Sequence, residues 1–147
     1  MSDAAPNGFL ASEETLERFF AAFYDGTLPR PEWTHGAHVA LAAYLLYDSD
    51  VAAVLPKIRY ALWNYIEATG GKNVIDTGYH ETLTVFWRKV VARELKEQWF
   101  TTRMEAVRGI VATYGEARGL ARQYYSYDLK NSNEARRQWV EPDLRSI

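Results

Sequence analysis

Apolar residues recur at helical spacing along most of this chain, and the pattern predicts an all-α protein. The first helix is expected between Ser12, whose side chain suits an N-cap, and a stop at Gly26. The inward stripe of this helix consists of Leu16, Phe19, Phe20 and Phe23. Prolines in the next segment predict a connecting loop that ends at Trp33.

Two further helices are predicted in the middle of the chain. One begins after Thr34, which serves as its N-cap, and ends near Tyr47. The other spans residues 51 to 69 and ends before two consecutive glycines, Gly70 and Gly71. Because proline lacks a backbone N–H, Pro56 is expected to kink this helix or to mark its true start.

The second half of the chain predicts two longer helices and two shorter helical stretches. One long helix begins after Asp76 or Thr77, and the other spans about Thr102 to Tyr114. The shorter stretches are expected from Glu116 to Tyr125 and from Ser132 to Trp139. Short connections favour antiparallel neighbours, so these elements predict an antiparallel helical bundle of five to six helices.

Chain length and composition limit the organisation and the class of the protein. The 147 residues suit a single helical domain over residues 12–147, preceded by a flexible N-terminus over residues 1–11. The chain has no cysteine, so any metal would take nitrogen and oxygen ligands. No signal sequence or membrane span is apparent, which predicts a cytoplasmic protein that does not bind membranes.

The charge pattern gives little reason to expect a nucleic-acid partner. The net charge is only −2, and the basic residues are those expected on the solvated faces of helices. The expected partner is a small molecule, and a homodimer is possible.

The three histidines of the chain form the main candidate site. His35 and His38 lie three positions apart, so they share one face of their helix, and His80 lies at the beginning of another helix. In an antiparallel arrangement the two helix starts meet at one end of the bundle. Imidazole is the commonest neutral metal ligand, so His35, His38 and His80 predict a divalent transition-metal site. Zinc is the first candidate, with nickel, iron or manganese as alternatives.

Glu81 follows the third histidine directly and has three possible roles. It could be a fourth metal ligand, a general base for metal-bound water, or an acceptor that orients a ligating histidine. The corresponding function is a metal-dependent hydrolase or lyase that acts on a small molecule, with Glu81 as the catalytic residue. Residues expected near the substrate are Arg59, Asn64, Tyr79, Thr84 and Tyr114.

The same residues also allow functions without a metal. The chain could be a non-catalytic small-molecule binding or sensing module in which the histidines act as hydrogen-bond partners. Aromatic residues make up 14% of the chain and could line such a pocket. A structural or partner-binding bundle is the third interpretation, in which the histidines serve the fold alone.

Three stretches of this sequence resemble a family of small bacterial proteins to which no activity is assigned. They are Trp33-Thr34-His35 with His38, then residues 78–82 (Gly-Tyr-His-Glu-Thr), and then residues 134–144. The resemblance implies a bacterial origin and a single-domain unit. In its general idea, a helical bundle with three histidines is also similar to the DinB-like metal-dependent enzymes, although the order and spacing of the histidines differ.

Overall fold

The computed structural model describes residues 7–147, and these residues form helices and connecting segments without a strand. The predicted all-α class is therefore confirmed. The α-helices are α1 (Glu13–Tyr24), α2 (His35–Leu46), α3 (Val51–Ala68), α4 (Glu81–Glu97), α5 (Arg103–Tyr114) and α6 (Asn133–Arg137). Short 3-10 helices span Gly8–Leu10, Arg30–Glu32, Arg118–Gln123 and Leu129–Asn131.

Side-chain caps fix where several helices begin. The hydroxyl of Ser12 accepts a hydrogen bond from the Thr15 N–H at the start of α1, and Thr34 does the same for Ala37 at the start of α2. These caps satisfy backbone N–H groups that have no partner within the helix. Helix α3 begins at Val51 and continues through Pro56, so this proline does not mark the start of the helix.

The start of α4 differs from the prediction. The helix begins at Glu81, not after Asp76 or Thr77, because the preceding residues turn back on themselves. Val74 and Thr77 exchange backbone hydrogen bonds, and Gly78 adopts a positive φ of 92° that other residues rarely tolerate. His80 consequently precedes α4 and does not lie within its first turn.

A further difference lies in the C-terminal part of the chain. The predicted helical stretch over Glu116 to Tyr125 is a shorter 3-10 helix at Arg118–Gln123, and the predicted C-terminal turn is α6. Residues 7–11, which were expected to be flexible, include a 3-10 turn whose Phe9 ring stacks on Phe19 at 4.5 Å. The rest of the expected flexible segment, residues 1–6, lies outside the described residues.

Helix α2 is the central element of the fold. It packs against α3, α4 and α5, and eight of its residues are buried, on all sides of the helix. A second cluster of buried residues connects α4 to the C-terminal segment through Phe86, Tyr124, Tyr125 and Ala135. Helices α2 and α4 are in contact, and residues at the starts of both helices border one cavity. Among the helices of residues 7–147, none combines the length and apolar character needed to cross a membrane.

Candidate ligand-binding cavity

A cavity of about 270 Å³ lies beside the beginnings of α2 and α4, and all three histidines line it. We call it the histidine cavity. The apolar part of its wall consists of Ile58, Leu62, Ile66 and Leu83, with Ala42 from α2. No carboxylate is among its lining residues in the described part of the chain.

Two tryptophans form aromatic walls of the histidine cavity. The Trp33 ring stacks on Phe23 with 3.7 Å between ring centroids and 7° between planes, so the core of α1 holds this wall in place. The Trp87 ring meets the His35 ring edge to face at 4.5 Å. Such aromatic contacts favour a defined geometry in addition to burying apolar area. The cavity is thus bounded by rings that the core of the protein orients.

His38 uses both of its ring nitrogens within the protein. The Trp33 indole N–H, which can only donate, gives a hydrogen bond to Nε2 of His38 at 3.0 Å. The proton of the neutral ring therefore lies on Nδ1, which donates to the Thr34 carbonyl at 3.0 Å. His38 is exposed to solvent by its surface area, but the protein packed around its ring partly desolvates it, and this desolvation lowers the pKa of His38 to about 4.

His80 is the N-cap of α4. Its Nδ1 accepts a hydrogen bond from the Leu83 N–H at 3.1 Å, so the ring proton lies on Nε2, which donates to the Leu129 carbonyl at 2.8 Å. The residue is only 8% exposed, and burial lowers its pKa although the hydrogen bond to Leu129 works in the opposite direction. His80 therefore fixes the start of α4 and ties it to the C-terminal segment.

His35 is the histidine whose ring has a nitrogen without a hydrogen-bond partner in the described part of the chain. Its Nε2 is buried and has no hydrogen-bond partner. Burial lowers the pKa of His35, and a hydrogen bond with the backbone of Tyr114 offsets part of this effect. A buried polar atom without a partner is uncommon in native proteins and calls for an explanation such as a water or a ligand.

These hydrogen bonds bear directly on the predicted metal site. A neutral imidazole binds a metal through its one lone pair. In His38 that lone pair accepts the Trp33 N–H, and in His80 it accepts the Leu83 N–H. Within residues 7–147, no group of three or more histidine and carboxylate side chains is arranged to hold a metal ion. The metal site therefore stays a prediction, and the two existing hydrogen bonds oppose it.

Glu81 lies away from the histidine cavity, in a separate groove. Arg59 donates to both oxygens of its carboxylate, at 3.0 and 2.6 Å, and the Tyr79 hydroxyl donates to one of them at 2.7 Å. Burial opposes ionisation of Glu81, but the hydrogen bonds from Arg59 and Tyr79 outweigh it and lower the pKa of the carboxyl. A carboxylate with three donors is a poor proton acceptor, which disfavours a role as general base.

The other residues expected near a substrate are divided between different places. Tyr79 and Thr84 line the histidine cavity, and the Thr84 hydroxyl donates to the His80 carbonyl at 2.8 Å. Tyr114 lies behind Trp87 and donates to Glu94 at 2.6 Å. Asn64 is half-buried and borders neither the histidine cavity nor the groove of Glu81, while Arg59 belongs to that groove.

Sequence reasoning missed two arginines that border the histidine cavity, Arg88 and Arg118. Arg88 lies on α4 two turns after Glu81, and its buried Nε has no hydrogen-bond partner. The sequence could have indicated Arg88 as a residue near the site, because it lies one position after Trp87 on the same helix. Arg118 lies in a 3-10 helix. The spacing of residues along the sequence does not predict where this short helix lies relative to α4.

Comparison of the chain with protein-family models, with curated proteins and with solved structures finds no match. The family resemblance noted from the sequence motifs therefore receives no support from these comparisons.

Proposed function

We propose that this chain binds a small, largely apolar molecule in the histidine cavity, as a non-catalytic binding or sensing module. The observation that carries the proposal is the cavity itself, with two tryptophans, three histidines and aliphatic side chains around one space of about 270 Å³. An apolar cavity of ~150 Å³ is large enough to hold benzene. The histidine cavity is therefore large enough for a molecule of one or two rings.

The charge state of the histidines supports an apolar ligand. The pKa of each of the three imidazoles is lowered, so all three are neutral near pH 7. These neutral rings cost an apolar ligand no ion desolvation, and the two cations of the wall, Arg88 and Arg118, border the same cavity beside them. His35 lines this wall and its Nε2 has no partner within the described residues, so we assign this nitrogen to the ligand. We infer that the ligand carries one polar atom, such as a hydroxyl, that pairs with this nitrogen.

Protein NMR with simple aromatic probes tests the proposal. Naphthalene and 2-naphthol are titrated while the indole N–H signal of Trp33 is followed, because this group faces His38 at the cavity wall. We expect saturable binding, with 2-naphthol favoured by about fivefold, the equivalent of one hydrogen bond of about 1 kcal/mol. In His35→Phe the preference for 2-naphthol should disappear while naphthalene still binds.

A matched pair of variants separates the cavity from the rest of the core. Ala42→Leu fills part of the cavity and should weaken 2-naphthol binding at least tenfold. Ala92→Leu introduces the same side chain on α4 at a half-buried position outside the cavity and should leave binding within twofold. Urea denaturation first establishes that both variants fold. If neither probe binds to the wild-type chain, or if Ala42→Leu binds as well as Ala92→Leu, the proposal is wrong.

A divalent metal at the same cavity is the second candidate function, because His35, His38 and His80 all line it. This alternative requires the lone pairs of His38 and His80 to exchange their N–H donors for a metal ion. Chelator-treated protein without a histidine tag is titrated with zinc, nickel, iron(II) and manganese while its melting temperature is measured. A rise of about 5 °C that is lost in His38→Ala would support the metal site. The cavity proposal expects no such rise.

We also propose the antiparallel helix arrangement that the sequence predicted. It is supported by the starts of α2 and α4, which border the same cavity although α3 separates them along the chain. An intervening helix that runs in the opposite direction returns the chain to the same end of the molecule.

A further inference from the structure

A second cavity, with a strongly cationic lining, adjoins the histidine cavity. It has a volume of about 560 Å³, and four cationic side chains line it: Arg118, Arg122, Lys130 and Arg136. We call it the cationic cleft. Its lining includes one carboxylate, Asp128. The histidine cavity and the cationic cleft share Gly78, His80, Leu83 and Arg118 in their walls, so the two spaces lie side by side.

The cations of the cleft are not neutralised within the described part of the chain. None of the four takes part in an ion pair there. The Asp128 carboxylate is engaged locally, because it accepts hydrogen bonds from the Lys130 N–H at 3.2 Å and from the Asn131 amide at 2.6 Å. Its role is to cap the 3-10 helix at Leu129–Asn131. The cleft therefore keeps a surplus of positive charge for an external anion.

Arg136 is held in a fixed position at the cleft. Its Nη1 donates to the Gly78 carbonyl at 2.7 Å and its Nη2 donates to the Lys130 carbonyl at 2.8 Å. Its buried Nε has no partner. Two carbonyls thus orient a guanidinium whose charge no carboxylate balances, and this charge favours an anion in the cleft.

We propose that the cationic cleft binds the phosphate of a ligand whose apolar body occupies the histidine cavity, so that the ligand class is a phosphate monoester of a small one- or two-ring molecule. This inference rests on the proposed function of the histidine cavity. A phosphate monoester carries about two negative charges near pH 7, and arginine forks match phosphate oxygens in pairs. Arg118 borders both spaces, so it marks the place where the phosphate joins the apolar body.

The test compares three probes that share one ring system: 2-naphthol, 2-naphthoate and 2-naphthyl phosphate. Calorimetry on the wild-type chain should show the phosphate ester binding at least tenfold more tightly than 2-naphthol and more tightly than 2-naphthoate. Arg122→Gln and Lys130→Gln remove exposed charges and should weaken the phosphate ester about fivefold each without changing 2-naphthol binding. Lys57→Gln removes an exposed charge outside the cleft and should change neither.

The outcomes distinguish this inference from the function on which it rests. If 2-naphthol binds in the cavity and the phosphate ester binds no more tightly, the inference is wrong and the cavity proposal stands. If inorganic phosphate binds as tightly as the ester, the cleft is an anion site alone and a ligand spanning both spaces is excluded. Equal affinity for 2-naphthoate and the phosphate ester would overturn the assignment to phosphate. If 2-naphthol does not bind at all, the cavity proposal itself fails.

Discussion

The two helix starts at the histidine cavity are built in different ways. Helix α2 is capped by Thr34, which leaves its two histidines in the cavity wall. Helix α4 is capped by a histidine, His80, whose ring accepts the Leu83 N–H that a serine or threonine hydroxyl would ordinarily accept. Histidines line the cavity at both helix starts, but only at the start of α4 does a histidine also cap the helix.

The difference extends to the protonation of the rings. His38 carries its proton on Nδ1 because Trp33 donates to Nε2, whereas His80 carries its proton on Nε2 because Leu83 donates to Nδ1. Both rings are locked as neutral tautomers by donors that belong to the protein. The comparison shows that three histidines around one space need not share one task. If the two helix starts are held in different ways, they should also contribute different amounts to the free energy of unfolding.

The largest effect is expected from the loss of the His80 ring. His80→Ala removes the cap of α4, worth about 1 kcal/mol, and leaves the Leu129 carbonyl without its donor at a cost of about 1 to 3 kcal/mol. We expect the free energy of unfolding, measured with urea, to fall by about 3 kcal/mol. His80→Asn should recover about 1 kcal/mol, because asparagine caps helices well.

The control for this prediction is the same substitution at the other helix start. His38→Ala leaves the Thr34 cap intact, and water can replace the two exposed hydrogen bonds of the His38 ring, so this variant should cost less than half as much as His80→Ala. Equal losses for the two variants would show that the cap of α4 is not what His80 contributes.

The sequence was sufficient to predict the elements that depend on local signals. The caps Ser12 and Thr34 and the apolar stripes place α1, α2, α3 and α5 close to their observed bounds. The start of α4 was misplaced, because histidine is not a usual N-cap and the turn at Gly78 depends on a contact between Val74 and Thr77. Local propensity does not reveal such a turn.

The candidate site was predictable only in its position. Spacing and helix order predicted that His35, His38 and His80 lie close together, and all three line one cavity. The engagement of their lone pairs depends on contacts with Trp33, with the Leu83 backbone and with Leu129, which lies 49 residues away from His80. Contacts of that sequence separation are set by tertiary packing, and no helical period encodes them.

The second prediction concerns pH and applies to both helix starts. The folded rings have lowered pKa values, to about 4 for His38, whereas histidines of the unfolded chain titrate near 6.5. The unfolded state therefore binds more protons, and stability falls as the pH decreases from about 6.5 towards 4. We expect a loss of about 2 kcal/mol, because one pKa unit is worth about 1.4 kcal/mol and solvent in the cavity reduces the contribution of His38.

Urea denaturation at a series of pH values checks this dependence. The Glu81 carboxyl, whose pKa is also lowered, adds its own loss only below about pH 4.5, so its window is separate. The variant His38→Gln, which keeps an acceptor for Trp33, should show a shallower slope between pH 6.5 and 4.5. A stability that does not change over this interval would contradict the neutral, desolvated state of the rings.

A smaller effect is expected at the cap of α2. Thr34→Ala removes one acceptor for the Ala37 N–H and should lower the free energy of unfolding by about 1 kcal/mol. Thr34→Ser keeps the hydroxyl and should remain within about 0.3 kcal/mol of the wild type. A loss at Thr34 as large as that at His80 would remove the energetic difference between the two helix starts.

The smallest effect on stability, and the sharpest test of the histidine tautomers, is expected from Trp33→Phe. This change keeps an aromatic ring on Phe23 but removes the N–H that occupies Nε2 of His38, at a cost of about 1 kcal/mol or less. The freed lone pair is no longer stabilised as an acceptor, so the pKa of His38 should rise above its wild-type value of about 4 in an NMR titration. The variant also gives His38 the one feature that a metal ligand needs. If zinc stabilises Trp33→Phe but not the wild type, the indole N–H is what keeps this cavity free of metal; if zinc stabilises neither, the spacing of the three histidines is insufficient for a metal site even when a second lone pair is available.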